Sequence, residues 1–120
     1  STLEKVEFLE DSELELIGEY ALSGTSIKSF TIPPNVSQLQ KNWCSFTSNL
    51  NEILISTRNK NFSYADKDHK LVVFKSDKCS DYYDSLVFAC RDINHVVIPS
   101  YVRYICSSSF NECKKVKTFE

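Results

Sequence analysis

The sequence predicts a solenoid of about five coils, in which each coil adds one strand to a parallel ladder. Two observations predict this fold class. Apolar residues recur with a period near 23, and proline directly follows an apolar-x-Ile triplet both in FTIPP at 30–34 and in VVIPS at 96–100. A coil of this length cannot bury its own apolar side, so neighbouring coils must stack and share a continuous core.

The period appears in two distant parts of the chain. The step from Ile27 to Leu50 is equal to the steps from Phe30 to Ile53 and from Ile32 to Ile55. A step of the same length links Ile93 to Val116 and Val96 to Phe119. The first unit, which starts at Leu3, follows the same order with small insertions and deletions and is a looser copy.

Each unit divides into two local patterns. It starts with a triplet of apolar residues that ends with period two, which predicts a short strand with one buried face. The apolar residues that follow are spaced by three and five, which predicts a tight turn plus a short helical or irregular piece. Proline between the two parts lacks an N–H donor and restricts φ, so it ends the strand and turns the chain away from the ladder.

The middle of the chain, about 56–92, is the least regular part. LVVF at 71–74 and SLVF at 85–88 predict two strands, and the polar loop KSDKCSDYYD between them predicts a hairpin-like unit. The interval from Leu50 to Ile93 falls slightly short of two full periods, which leaves room for two shortened coils. We therefore expect residues 1–120 to form a single domain with irregular units at 56–92.

The repeated unit resembles the BspA-like leucine-rich repeats of bacterial surface antigens and parasitic protists. The stretches that carry the resemblance are IKSFTIPPNVSQLQKNWC at 27–44, INHVVIPSYVRYICSSSFNECKKV at 93–116 and LIGEYALSGTSI at 16–27. This sequence departs from the family pattern at Gln40 and Cys106, where glycine is usual, at Thr47, where cysteine is usual, and at Ser56, where proline is usual.

The resemblance implies a leucine-rich-repeat solenoid that is a fragment of a longer array. It also implies a non-catalytic recognition protein at the cell surface or secreted, which binds a host protein, the extracellular matrix or a glycan. An alternative is a structural segment that spaces or oligomerises a larger protein by end-to-end self-association through its open ends. An intracellular location is also left open.

Composition argues against several other classes of protein. The chain has 42% hydrophobic and 25% charged residues and a formal net charge of −2, with both signs interspersed, so no basic surface predicts binding to nucleic acid or to an anionic membrane. No apolar run is long enough to span a bilayer, and the segment STLEKVEFLED lacks the features of a signal peptide. Because the chain opens on Ser1, we interpret it as a piece of a longer protein.

The five cysteines include no C-x-x-C pair, and their spacing fits no zinc site. We expect Cys44 and Cys113 to pack as small hydrophobic side chains. Cys79 and Cys90 flank the expected hairpin and could form a disulfide if the protein is exported.

The remaining polar residues predict no enzyme and no cofactor. His69 and His95 have no sequence neighbours that indicate a catalytic triad. Asp66 and Asp68 resemble the start of a calcium loop, but the glycine and the distal glutamate are missing. We therefore predict no catalytic, cofactor-binding or metal-binding residue.

The candidate binding residues are those that the apolar period leaves free on the strand ladder. Outward positions of successive units form one column of Lys5, Ser29, Glu52 and His95, and a second column of Glu7, Thr31, Leu54 and Val97. Leu54 and Val97 are apolar where the pleat points to solvent, which is typical of contact sites. Scattered exposed aliphatic residues are also common on surfaces that bind nothing. The predicted partner-binding residues are Glu52, Leu54, His95 and Val97.

Overall fold

A computed structural model of the chain describes residues 6, 8–9, 11–77, 79–106, 109–114, 116 and 118–119. Within these ranges the regular structure consists of short strands, and no helix is present. The short helical pieces expected after each strand are turns instead. The strands are β1 (Leu16–Ile17), β2 (Ser29–Ile32), β3 (Gln38–Leu39), β4 (Glu52–Ile55), β5 (Phe62–Tyr64), β6 (Leu71–Phe74), β7 (Ser85–Ala89), β8 (His95–Val96), β9 (Tyr104–Ile105) and β10 (Thr118–Phe119).

Four strand pairs in the described residues are parallel, and three of them involve only strands outside the irregular middle segment. In the pair β2–β4, Ser29 lies beside Glu52 and Ile32 beside Ile55, so the two strands are offset by one full period. The pair β8–β10 has the same offset, with His95 beside Thr118. The pair β1–β3 has a slightly shorter offset, with Leu16 beside Gln38. In the pairs β2–β4 and β8–β10 the register therefore equals the step between apolar residues in the sequence.

The irregular middle segment forms an antiparallel meander. The predicted hairpin is present as β6 and β7, and β5 pairs with the other edge of β6. A bulge between Val72 and Val73 shifts the register of β6 against β7. Because β7 also pairs in parallel with β9, the meander is part of a four-stranded sheet in the order β5-β6-β7-β9.

The core lies on the inward side of these strands and contains two clusters of buried apolar residues. The larger cluster includes Ile32 and Ile53 from β2 and β4, Ile27 and Leu50 from the residues just before these strands, and Phe88 from the meander. The smaller cluster joins buried side chains of β6 and β7 to two from the repeat that follows them, and its members are Leu71, Val73, Leu86, Ala89, Ile93 and Val96. In both clusters the apolar side chains of the repeats therefore pack against those of the irregular segment. Burial of this kind contributes roughly 25 cal/mol per Å² of apolar surface.

Candidate functional site

The outward side chains of β2 and β4 form a surface that we call the ladder face, defined by Ser29, Thr31, Glu52 and Leu54. Parallel pairing places Ser29 beside Glu52 and Thr31 beside Leu54, which are the column neighbours that the sequence predicted. The alternating partners Phe30 and Ile53 point inward and are buried. Leu54 is 46% exposed although it lies in the middle of a strand. The ladder face thus presents one large apolar side chain among polar neighbours.

A groove of about 590 Å³ lies on the N-terminal side of Leu54. Its walls include Ser29, Thr31 and Leu54 from the ladder face, together with Phe8 and Leu9 from the chain before β1. Leu9 is largely exposed, whereas Phe8 is half-buried and packs edge-on against Phe30. The groove therefore combines apolar contact area with the hydroxyl groups of a serine and a threonine.

A smaller depression of about 160 Å³ lies on the other side of Leu54. Here the rings of Tyr64 and His69 stack in parallel with their centroids 3.8 Å apart. The hydroxyl group of Tyr64 donates a hydrogen bond of 2.6 Å to the carbonyl oxygen of Ile53. Burial is the largest influence on the Tyr64 hydroxyl and raises its pKa. Tyr64 therefore contacts β4, whose only strand partner in the described residues is β2.

Charged groups surround this depression. The ammonium group of Lys70 forms a salt bridge of 3.1 Å with Asp92 and donates a hydrogen bond to the carbonyl oxygen of Asn51. Glu52 and Asp68 also line the depression and are exposed. A ligand that covers Leu54 thus meets a fixed positive group and two exposed carboxylates. Sequence reasoning missed Tyr64, His69 and Lys70, because the hairpin pattern does not indicate which strand the hairpin packs against.

His95 and Val97 lie apart from the ladder face in the pairing scheme. Strand β8, which contains His95, pairs with β10. Within the described residues β8 does not pair with β4. Both His95 and Val97 are exposed, as predicted, and Val97 is 50% exposed. The irregular segment therefore interrupts the predicted column between Leu54 and Val97. Lys5 and Glu7, the first members of the two columns, lie outside the described residues.

The cysteines are all free thiols, so Cys79 and Cys90 form no disulfide in this structure. Cys44 is buried in the core, as expected, and burial raises its pKa to about 12 against the smaller opposing effect of Arg91. Burial likewise raises the pKa of Cys90 to about 11. Cys113 is half-buried at the edge of the smaller core cluster. Thiols held protonated in this way are poor nucleophiles.

Asp66 has a structural role. Its carboxylate accepts hydrogen bonds from the backbone N–H groups of Lys70 and Leu71 and closes the turn before β6. Across the described ranges, no group of three or more histidine, cysteine or acidic side chains is arranged to hold a metal ion. The same ranges contain no helix with the length and apolar character needed to cross a bilayer.

Comparison with known proteins agrees with this architecture. The family model described as BspA type Leucine rich repeat region (6 copies) matches residues 1–66 and 80–120. The crystal structure of a leucine-rich repeat protein from Eubacterium ventriosum superimposes on 98% of the chain with a TM-score of 0.75 at 20% identity. This similarity shows the fold alone, and the chain spans 32% of the length of that protein. No curated protein matches the chain.

The family model covers most of the chain, and the residues it leaves out fall within the antiparallel meander and its loop. The solved structure supports the same fold over nearly the whole length. The chain therefore belongs to the BspA-type leucine-rich repeat family and has a leucine-rich-repeat fold.

Proposed function

We propose that this chain is a recognition module that binds a protein partner through the ladder face. The observation that carries the proposal is the exposure of Leu54 in the middle of β4, between a groove with mixed apolar and polar walls and a depression with charged walls. An exposed apolar side chain with a polar surround is the usual composition of the centre of a protein interface. Proteins with leucine-rich repeats typically act as non-catalytic scaffolds that bind other proteins.

The finer details of this proposal extend the family resemblance. The partner is a host protein or a component of the extracellular matrix, and the module acts at the cell surface or in secreted form as an adhesin. We also propose that residues 1–120 form one domain of about five stacked coils with a period near 23. Offsets of one period, or slightly less, in the parallel pairs support this arrangement.

Glu52, His95 and Val97 belong to the same proposal. Glu52 borders the depression beside Leu54, so it contacts the same partner. His95 and Val97 form a second contact area on β8 and the residue that follows it.

The test replaces Leu54 and Val97 with aspartate in one variant. The variant and the unchanged chain are immobilised and exposed to a surface-protein fraction of cultured mammalian cells, and retained proteins are identified by mass spectrometry. We expect the double variant to lose the proteins that the unchanged chain retains, while its thermal melt by circular dichroism stays the same. Leu16→Asp is a matched control, because Leu16 is also exposed on a strand but lies in the separate β1–β3 pair.

Identical retained proteins for all three chains would show that the ladder face is not the binding surface. A collapsed melt of the double variant would place Leu54 and Val97 in the core instead. Single variants Glu52→Ala and His95→Ala, measured in the same way, then assign each contact area.

A second candidate function is self-association within a structural array. The observation that favours it is the exposure of Ile105 on β9, whose described pairing is to β7 only. Sedimentation equilibrium distinguishes the two candidates. Dimers or chains that grow with concentration and disappear in Ile105→Asp favour the structural function, whereas a monomer that retains its partner favours recognition.

A further inference from the structure

Three exposed tyrosine side chains gather at a surface that the candidate site does not include. Tyr82 is 72% exposed, Tyr101 45% and Tyr104 57%. They line a cleft of about 390 Å³ between the loop before β7 and the turn before β9. The other lining residues are polar or charged, namely Ser80, Asp84, Ser100 and Arg103.

The two sides of this cleft are tied together by backbone hydrogen bonds. The N–H groups of Arg103 and Tyr104 both donate to the carbonyl oxygen of Asp84, at 2.7 and 3.1 Å. Ser80 stabilises the loop side, because its hydroxyl oxygen accepts a hydrogen bond from the N–H of Tyr82 at 3.0 Å. The cleft is therefore formed without a ligand, as is usual for small-molecule sites.

The acceptor groups in the cleft are also positioned in advance. Both the N–H and the hydroxyl group of Ser76 donate to the Asp84 carboxylate, at 3.0 and 2.6 Å. These hydrogen bonds lower the pKa of Asp84, so the carboxylate stays ionised. On the other side, the guanidinium of Arg103 has no carboxylate within salt-bridge distance in the part of the chain that the structure describes. Its N–H groups remain available to a ligand.

The chemistry of the cleft defines the class of ligand that fits it. Tyrosine faces carry partial negative charge and attract the C–H groups on the face of a saturated ring. The cleft offers a carboxylate that accepts hydrogen bonds, a guanidinium that donates them, and hydroxyl groups that do both. These groups match a ligand that carries many hydroxyl groups. Pyranose rings with equatorial substituents have both features, because their C–H bonds project from the ring faces and their hydroxyl groups from the ring edge.

Charge argues against a strongly acidic ligand. Asp77, Asp81 and Asp84 all lie in or beside the loop that forms one wall of the cleft, opposite Arg103. The negative charges of these aspartates repel an anionic ligand. Dissolved salt weakens this repulsion but does not reverse its sign.

We propose that the tyrosine cleft binds a neutral, β-linked pyranoside oligosaccharide, with Tyr82, Tyr101 and Tyr104 stacking on its sugar rings and Asp84 and Arg103 bonding to its hydroxyl groups. This site is separate from the ladder face and takes a different class of ligand. Its failure leaves the proposed protein recognition unchanged, because the two surfaces share no residue.

The experiment is a titration of the isotope-labelled chain, followed by backbone amide shifts in NMR spectra. The probes are cellohexaose, chitohexaose and lacto-N-neotetraose, and a heparin hexasaccharide and a tetraglutamate peptide serve as anionic probes. We expect saturable shifts at the amides of Tyr101, Arg103 and Tyr104 with at least one neutral probe. In Tyr82→Ala or Tyr104→Ala we expect binding about fivefold weaker, since an aromatic contact contributes on the order of 1 kcal/mol.

Two variants control for a structural effect. Tyr20→Ala removes a tyrosine that is also 57% exposed but lies outside the cleft, and it should leave the affinity unchanged. Tyr104→Phe keeps the ring and loses the hydroxyl group, so it should retain most of the affinity. Absence of shifts with all three neutral probes overturns the proposal. Shifts with heparin or tetraglutamate alone overturn it too, because they indicate an anion site at Arg103. Shifts that appear only as the protein concentration rises, without any probe, also overturn it, because they indicate a self-association surface.

Discussion

The buried guanidinium of Arg91 donates a hydrogen bond of 3.2 Å from Nη2 to the carbonyl oxygen of Cys44, across 47 residues of chain. The same nitrogen lies 3.4 Å from the hydroxyl oxygen of Thr47, and Nη1 donates to the carbonyl oxygen of Ser109 at 3.0 Å. The Phe88 ring lies below the guanidinium, 4.5 Å away. One side chain therefore joins three segments of the chain in the interior.

Replacing Arg91 by lysine should destabilise the protein. Lysine keeps the positive charge but lacks the planar fork, so it cannot reach the carbonyl groups of Cys44 and Ser109 together. Each hydrogen bond that the charged guanidinium donates to these carbonyl groups contributes about 1.5 to 3 kcal/mol. We expect the free energy of unfolding in urea to fall by about 2 kcal/mol or more. Arg103→Lys, at an exposed position, should leave it unchanged, and equal stability of both variants would contradict the prediction.

Asn59 should also be required for stability. Its buried amide donates to the carbonyl oxygens of Pro33 and Val36, at 2.8 and 2.9 Å, while its oxygen accepts from the N–H of Asn61 at 2.8 Å. Asn59→Ala removes all three bonds, and we expect a loss of about 2 kcal/mol in urea denaturation. Asn94→Ala, at an exposed position, is the matched control. Equal free energies of unfolding in urea for the two alanine variants would show that the prediction is wrong.

The five thiols should differ in their accessibility to alkylation. Cys79 is exposed, whereas Cys44 and Cys90 are buried with raised pKa values. At mildly alkaline pH we expect iodoacetamide to modify Cys79 first and the two buried thiols only after denaturation, because the thiolate is the reactive form. Intact-mass spectrometry over time measures the order, and Cys79→Ser should lose the fastest step. Early modification of Cys44 would show that its surroundings open readily.

The stability of the fold should decline at high pH, because the buried thiols of Cys44 and Cys90 have raised pKa values. The folded pKa of Cys44, about 12, and that of Cys90, about 11, both exceed the ordinary thiol value of 9.0. The protonated thiols therefore stabilise the fold fully below pH 9.0, and this contribution is lost as the pH rises from there toward the folded values. We expect the melting temperature to fall over this range. The decline should be shallower in the double variant Cys44→Ala, Cys90→Ala, and equal slopes would exclude these thiols as its cause.

Much of the fold follows from the period of the apolar residues. The step from Phe30 to Ile53 became the register of β2 against β4, because stacked repeats must bring equivalent buried positions side by side. Alternation within the same strands also predicted that Leu54 is exposed. Local residue patterns were sufficient here, since each repeat contacts mainly its neighbours.

Other features could not be read from local patterns. The positions of Arg91 and Asn59 depend on carbonyl groups that are far away in the chain, and both residues belong to types that are usually exposed. The expected continuity from Leu54 to Val97 was interrupted because the irregular segment between β4 and β8 pairs within a separate sheet. Tyr82, Tyr101 and Tyr104 meet only after the hairpin loop folds against the turn before β9, and no spacing in the sequence indicates that contact.

The offset of β2 against β4 by one full period also constrains how such a chain can change in length during evolution. Duplication or loss of one complete unit returns every strand to the same phase, so buried and exposed positions are preserved. A single-residue deletion just before β4 shifts the whole strand by one position and exposes Ile53 while burying Glu52. Gain or loss of whole units is therefore the change of length that this architecture tolerates best, and the antiparallel meander between β4 and β8 shares the same core because it contributes apolar strands of its own.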